Sequence, residues 1–101
     1  MTREEARRRL EEHRVAIDDL DRRIVELLNQ RTRVVEDIGR VKRSADLPIY
    51  EPKREDQVYE NISHASADGP LTKEAVRRIY ERIIDEMRMV QRVRMEKDED
   101  S

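Results

Sequence analysis

The sequence contains no cysteine, tryptophan or phenylalanine, and only two glycines and three prolines among its 101 residues. Without cysteine it can form neither a disulfide nor a thiolate metal site, and it lacks a cysteine nucleophile. It also has no run of about 18 apolar residues, which a membrane-spanning helix requires. We therefore expect no membrane association through a transmembrane segment.

An excess of charge of one sign is also missing. Lysine and arginine total 22 against 24 aspartate and glutamate, which gives a net charge of −2. A nucleic-acid-binding domain would be clearly basic, so we expect no nucleic-acid partner. The first residues lack the apolar stretch of a secretory signal, so we expect a cytoplasmic protein. With 46% of residues charged, only the order of the residues can distinguish a folded domain from disorder.

What the sequence does contain is helical periodicity. Apolar residues recur at steps of three, four and seven, the spacing of one face of an α-helix. In the first half of the chain they are Leu10, Ile17, Leu20, Ile24, Leu27, Leu28, Val34, Val35, Ile38 and Val41. This pattern predicts a first helix over about residues 4–43.

Two breaks divide the rest of the chain. Pro48 and Pro52 interrupt the pattern, and Pro52 is suited to open a second helix, about 52–63, with Glu51 near its cap. A polar, turn-like segment from Ser63 to Pro70 follows. Thr72 is predicted to cap a third helix, about 72–94, ahead of a frayed polar tail at 95–101.

Helix length predicts the assembly. A helix of about 40 residues is about 60 Å long, whereas the second and third would reach about 20 and 35 Å. The two short helices cannot cover the apolar stripe of the first, and a second copy of the chain can. We therefore predict an all-α fold: a three-helix protomer with a very long first helix, in an intertwined homodimeric bundle.

Polar residues interrupt these stripes. Arg14, Arg31 and Lys42 fall at apolar positions of the first helix, and Gln91 does so on the third. Buried charges are costly unless paired, so something anionic should meet them. Each could reach the surface or pair with an acidic residue. Together they favour a cationic pocket for a small anion inside a helical bundle.

The sequence gives little support for a metal site, a serine–histidine–acid triad or a cofactor. His13 and His64 are isolated, without a second histidine at ligand spacing, so we expect no metal site. No serine–histidine–acid arrangement is present, and nothing indicates a cofactor.

An ordered set of residues nevertheless resembles a known family, the all-helical class of chorismate mutase, over about residues 9–92. The set is Arg14-x-x-Ile17-Asp18-x-Leu20-Asp21-x-x-Ile24-x-x-Leu27-Leu28-x-x-Arg31, Ile38-Gly39-x-x-Lys42 and Pro48-Ile49-Tyr50-Glu51-Pro52-x-Arg54-Glu55, with Ile83-Ile84 and Gln91 on the third helix. The resemblance implies conversion of chorismate, a small dicarboxylate, to prephenate on the route to Phe and Tyr. It also implies an interlocked dimer with two equivalent sites. This rearrangement requires a correctly folded substrate and hydrogen-bond donors at its ether oxygen, with no covalent catalysis.

The resemblance implies roles for the four polar stripe residues. Arg31 and the partner subunit's Arg14 would clamp the two substrate carboxylates. Lys42 and Gln91 would donate to the ether oxygen, and Lys42 would also touch a carboxylate.

It implies further roles around the start of the second helix. Glu55 would accept from the substrate hydroxyl, and Arg54 would support the carboxylate end and orient its neighbours. Glu51 stands where the family often has aspartate. Met87 stands where some members have a hydroxyl residue, so one carboxylate hydrogen bond is expected to be absent, at a cost in affinity.

Two alternatives to the mutase remain open from the sequence. The related isochorismate–pyruvate lyase shares the fold and the cationic pocket, although Glu55 beside Arg54 favours the mutase. The other is a non-catalytic helical dimer, as a scaffold or a regulatory domain of a shikimate-pathway enzyme, which would not need the polar stripe residues. Whether the chain works with a partner enzyme of the shikimate pathway also stays open from the sequence.

Overall fold

The computed structural model describes the backbone of residues 1–100 and the side chains of residues 1–96. Over this range the chain forms three α-helices: α1 (Arg3–Ser44), α2 (Pro52–Ala65) and α3 (Lys73–Asp100). The described residues contain no strand, and the all-α prediction is confirmed. Within these residues, none of the helices has a stretch long and apolar enough to cross a membrane.

The helix starts follow from local hydrogen bonding. At the start of α1, the Glu5 N–H donates to Thr2 Oγ1 (3.1 Å) and the Thr2 N–H donates to the Glu5 carboxylate (3.3 Å), a reciprocal capping box. The predicted cap of α3 is confirmed, because Thr72 Oγ1 accepts from the Ala75 N–H at 3.1 Å. Pro52 is the first residue of α2, as predicted, but the preceding Glu51 makes no side-chain cap hydrogen bond.

A Schellman motif ends α1. The Leu47 N–H donates to the Lys42 carbonyl (2.7 Å) and the Asp46 N–H to the Arg43 carbonyl (3.2 Å), which satisfies two carbonyls of the last turn. The motif requires one residue in the left-handed region, and Asp46 occupies it with φ of 55°. The chain therefore reverses direction within a few residues of Lys42.

Two helix ends lie beyond their predicted positions. α2 continues to Ala65 through residues predicted to be turn-like, and its end is closed by the Ser66 N–H on the Ile62 carbonyl (3.0 Å). α3 continues to Asp100, beyond the predicted helix end at about residue 94, and the fraying of the tail stays a prediction. Arg43 Nη1 donates to the Met95 carbonyl at 3.0 Å and so ties this part of α3 to α1. Ser101 lies outside the described residues.

The chain divides into two compact units, and the prediction of a single domain over residues 1–101 stays a prediction. The first unit, Met1–Arg33, is the greater part of α1. None of its side chains is buried, and a row of large apolar side chains is about half exposed or more. The row consists of Leu10, Ile17, Leu20, Ile24 and Leu27.

The second unit begins at Val34 and contains the last turns of α1 together with α2 and α3. α2 packs against α3. The buried residues of the described chain all lie in this unit, and polar residues are among them. They are Val35, Gly39, Lys42, Ile84, Met87 and Gln91.

Asp46 gives a test of the α1 terminus. Asp46→Gly should raise the free energy of unfolding by up to about 1 kcal/mol, because glycine enters the left-handed region without a Cβ penalty. Asp68→Gly is the matched control, since Asp68 does not have a positive φ and should gain nothing. Urea denaturation of both variants measures the difference. Equal effects at the two positions would contradict the role assigned to Asp46.

Candidate functional site

The Lys42 side chain is the centre of the candidate site. It lies in the last turn of α1 with only 7% of its surface exposed. Its ammonium group donates to the Ile49 carbonyl (2.9 Å) and to Gln91 Oε1 (3.2 Å), and it is 2.9 Å from Glu51 Oε1. An ammonium group has three protons, so these three acceptors satisfy it completely.

The fold brings these three acceptors to Lys42 by two routes. The Schellman turn reverses the chain after α1, which returns Ile49 and Glu51 to the lysine seven and nine residues later. Gly39, one turn before Lys42, faces Gln91 where α3 passes α1. A Cβ at Gly39 would lie 3.8 Å from the Gln91 Cα, which is ordinary van der Waals contact.

The partner of Lys42 fixes the orientation of Gln91. Because an ammonium group only donates, the side-chain oxygen of Gln91 must face Lys42. The amide –NH2 group of Gln91 is then the donor that it can offer to a ligand. Gln91 is 9% exposed. Lys42 and Gln91 therefore place a charged and a neutral donor side by side in a buried part of the second unit.

A second polar link joins α2 to α3. Arg88 Nε donates to Glu55 Oε2 at 2.8 Å, and Arg88 Nη2 contacts Glu55 Oε1. Arg88 also contacts Asp85 (3.2 Å) and lies over the Tyr50 ring, 5.2 Å from its centroid. The hydrogen bond to Glu55 raises the pKa of Arg88 above its already high ordinary value.

Sequence reasoning missed Arg88. The signal was available, because Arg88 lies four residues after Ile84 and three before Gln91, beside the apolar stripe of α3. Arginine is so frequent in this chain that an arginine beside an apolar stripe cannot be distinguished by its position from the many arginines on exposed helix faces.

The remaining predicted residues are placed as follows. Met87 is buried on α3, one turn before Gln91. Arg54 is exposed on α2 and donates to Gln57 Oε1 at 2.8 Å, while the neighbouring Glu55 pairs with Arg88. The structure therefore brings Lys42, Glu51 and Gln91 together, and it does not join Arg54 to them.

The two other arginines lie in the first compact unit. Arg14 is exposed and Arg31 is half-buried. Their predicted contacts with a substrate stay predictions. Among the described residues, no group of three or more histidine, aspartate or glutamate side chains could hold a metal ion.

Comparison with known proteins gives this geometry a context. A family model described as "Chorismate mutase type II" matches residues 13–92, which is most of the chain. The chain belongs to this family. The resemblance drawn from the sequence motifs is thereby confirmed.

Relatives and solved structures agree with the family. The chain is 38% identical over 78 residues to a bifunctional chorismate mutase/prephenate dehydratase of Aquifex aeolicus, and 25% identical over 88 residues to the chorismate mutase of Methanocaldococcus jannaschii. It spans 22% of the first protein's length and 89% of the second's, and these matches cover 74% and 87% of this chain. The chorismate mutase structure (form II) from Thermus thermophilus matches with a TM-score of 0.79 at 31% identity. That match covers 83% of this chain and 94% of the other.

Proposed function

We propose that this chain is a chorismate mutase, an isomerase that converts chorismate to prephenate in the biosynthesis of Phe and Tyr. The observation that carries the proposal is the pairing of Lys42 and Gln91, 3.2 Å apart and both buried, in a member of the chorismate mutase type II family. No acid, base or nucleophile is required. The reaction breaks one C–O bond and forms one C–C bond within a single molecule.

The proposed catalysis is electrostatic. As the C–O bond breaks, negative charge grows on the ether oxygen, and donors aimed at this atom lower the barrier most where water is excluded. Lys42 Nζ and the –NH2 group of Gln91 are the donors. Because the protons of Lys42 are all occupied, each contact with the substrate must displace one acceptor. Glu51 is the easiest to displace, since 49% of its side chain is already exposed.

The carboxylates of chorismate are assigned to arginines. We propose that Arg31 and the partner subunit's Arg14 clamp them, because a guanidinium fork binds a carboxylate bidentately. Lys42 would contact one of the carboxylates as well. Holding the substrate in its folded conformer supplies the positioning part of the catalysis.

The residues at the start of α2 complete the proposed site. Glu55 accepts from the substrate hydroxyl, and Arg54 supports the carboxylate end from its exposed position. Glu51 occupies the place of the family's frequent aspartate. Met87, which is buried one turn before Gln91, offers no hydroxyl to a carboxylate, so we expect a cost in affinity.

A product assay tests the proposed function. The purified chain is incubated separately with chorismate and with isochorismate, and the products are separated by chromatography. Prephenate from chorismate is the expected result. Salicylate plus pyruvate from isochorismate would instead identify a lyase, and no product from either compound would identify a non-catalytic helical module.

We also propose that the functional unit is an intertwined homodimer. The apolar row of α1 in the first unit supports this, because its five side chains are 47–62% exposed. Complete burial of such a side chain stabilises by about 1.5–3 kcal/mol, and a second copy of α1 offers the matching surface. Because most helical stability in proteins comes from packing of an apolar face, α1 gains stability from such packing.

The cellular setting follows from the proposed reaction. The bifunctional relative from Aquifex aeolicus carries a prephenate dehydratase in the same chain. This supports an enzyme that consumes prephenate as a partner of the present chain. The expected cytoplasmic location stays a prediction.

Mixed dimers test the placement of Arg14. Arg14→Ala and Lys42→Ala are co-expressed with different affinity tags, and the heterodimer is purified on both. If Arg14 acts across the interface, one site carries both defects and the other is intact, so about half of wild-type activity returns. Arg22→Ala, at an exposed arginine of the same helix, serves as the active control. A heterodimer as inactive as its parents would place Arg14 in its own protomer's site.

The pH profile tests Gln91. Gln91→Glu should be active only below about pH 5, where a glutamate is protonated and can donate as the amide does. At neutral pH the carboxylate would repel the charge growing on the ether oxygen. Chorismate turnover is measured from pH 4 to 8 beside Gln30→Glu, a change at an exposed glutamine. A flat profile for Gln91→Glu would remove Gln91 from the ether oxygen.

A further inference from the structure

We propose that Arg88 is a positioning residue, which holds the Glu55 carboxylate in the orientation that receives the substrate hydroxyl. This role rests on the proposed function, in which Glu55 is the hydroxyl acceptor. Arg88 lies outside the set of residues that the family resemblance singled out, and its interactions are visible only in the folded chain.

The contact between the two side chains is a fork. Arg88 Nε meets one carboxylate oxygen of Glu55 at 2.8 Å, while Arg88 Nη2 contacts the other oxygen. Two parallel hydrogen bonds fix the plane of a carboxylate, which a single bond or a lysine cannot do. Both side chains are partly shielded from water, with 31% of Arg88 and 19% of Glu55 exposed.

The arginine is itself held from two further sides. Arg88 Nη1 lies 3.2 Å from Asp85 Oδ1, one turn earlier on α3, and the guanidinium lies over the Tyr50 ring from the segment before α2. These contacts restrict the guanidinium to one orientation. Glu55 remains able to accept another bond, because each carboxylate oxygen has two acceptor sites and Arg88 occupies one on each.

The Glu55–Arg88 pair lies one helical turn along the sequence from two residues that contact Lys42. Glu55 follows Glu51 by one turn of α2, and Arg88 precedes Gln91 by one turn of α3. The two helices are therefore connected by the Glu55–Arg88 fork next to the positions from which Glu51 and Gln91 reach Lys42. Arg88 would thus hold the Glu55 carboxylate, which accepts from the substrate hydroxyl, at a constant distance from Lys42 and Gln91, which donate to the ether oxygen.

A double-mutant cycle in kcat/KM for chorismate tests the proposal. Arg88→Ala should lower kcat/KM by about tenfold to a hundredfold, the range expected when a charged hydrogen-bond partner is lost. In a Glu55→Ala background the same change should cost less than about twofold, because no carboxylate remains to be positioned. Arg88→Lys should recover only part of the loss, because lysine keeps the charge but lacks the fork.

Controls separate this role from a contribution to folding. Arg82→Ala, which removes an exposed arginine paired with Glu86 on the same helix, should leave kcat/KM unchanged. Thermal melts accompany each variant, and Arg88→Met, which keeps most of the apolar part of the side chain, replaces Arg88→Ala if that variant unfolds.

Three outcomes would overturn the proposal. An equal loss with and without Glu55 would show that Arg88 acts through the fold or on the substrate directly. Unchanged kcat/KM in Arg88→Ala would show that it has no role. A wild-type chain that does not turn over chorismate would overturn the proposed function and the positioning role with it, whereas the first two outcomes leave the mutase assignment intact.

Discussion

The buried ammonium group of Lys42 is the constraint on which the rest of the second unit depends. A charge that is 7% exposed destabilises a protein unless every proton meets an acceptor. The segment after the Schellman motif at Asp46 provides the Ile49 carbonyl and Glu51, and the packing of α3 beside Gly39 provides Gln91. Three features of the fold bring acceptors to this one ammonium group. They are the end of α1, the loop before α2 and the contact between α1 and α3.

This arrangement limits stability. Among the described side chains, the buried apolar set is Val35, Ile84 and Met87, and Lys42 and Gln91 share the same core. Replacing a buried ion together with its polar partners by well-packed apolar side chains is often neutral or stabilising, so the sequence keeps polarity here at some cost to stability. The exposed apolar row of α1 offers the compensating burial, provided that a second chain covers it.

Periodicity and the local chemistry of single residues predicted much of the molecule. The three helices, the Thr72 cap and the start of α2 at Pro52 follow from spacing and from the rigid geometry of proline. The ends of α2 and α3 did not, because a helix end depends on which neighbours satisfy its last carbonyls, as Arg43 does at Met95. The residues around a helix end do not indicate which distant residue will hydrogen-bond to its last carbonyls.

The site was predicted unevenly for the same reason. Lys42 and Gln91 stood out because a polar residue in an apolar stripe has a small set of explanations. Arg88 did not, because its partner Glu55 lies 33 residues away and only packing of α2 on α3 brings the two together. The exposed position of Arg54 likewise depends on how α2 is rotated against α3, which the sequence pattern does not determine.

The kinetics of Lys42→Met test the central claim most directly, because methionine keeps most of the apolar part of the side chain and removes the charged donor. Chorismate turnover is measured on folded protein, with the melting temperature of the same sample as the check. The electrostatic mechanism predicts that kcat/KM falls by at least about a hundredfold in protein that is still folded at the assay temperature, with a lower melting temperature because the Ile49 carbonyl and Gln91 Oε1 lose their donor. Near-normal turnover in this variant would contradict it.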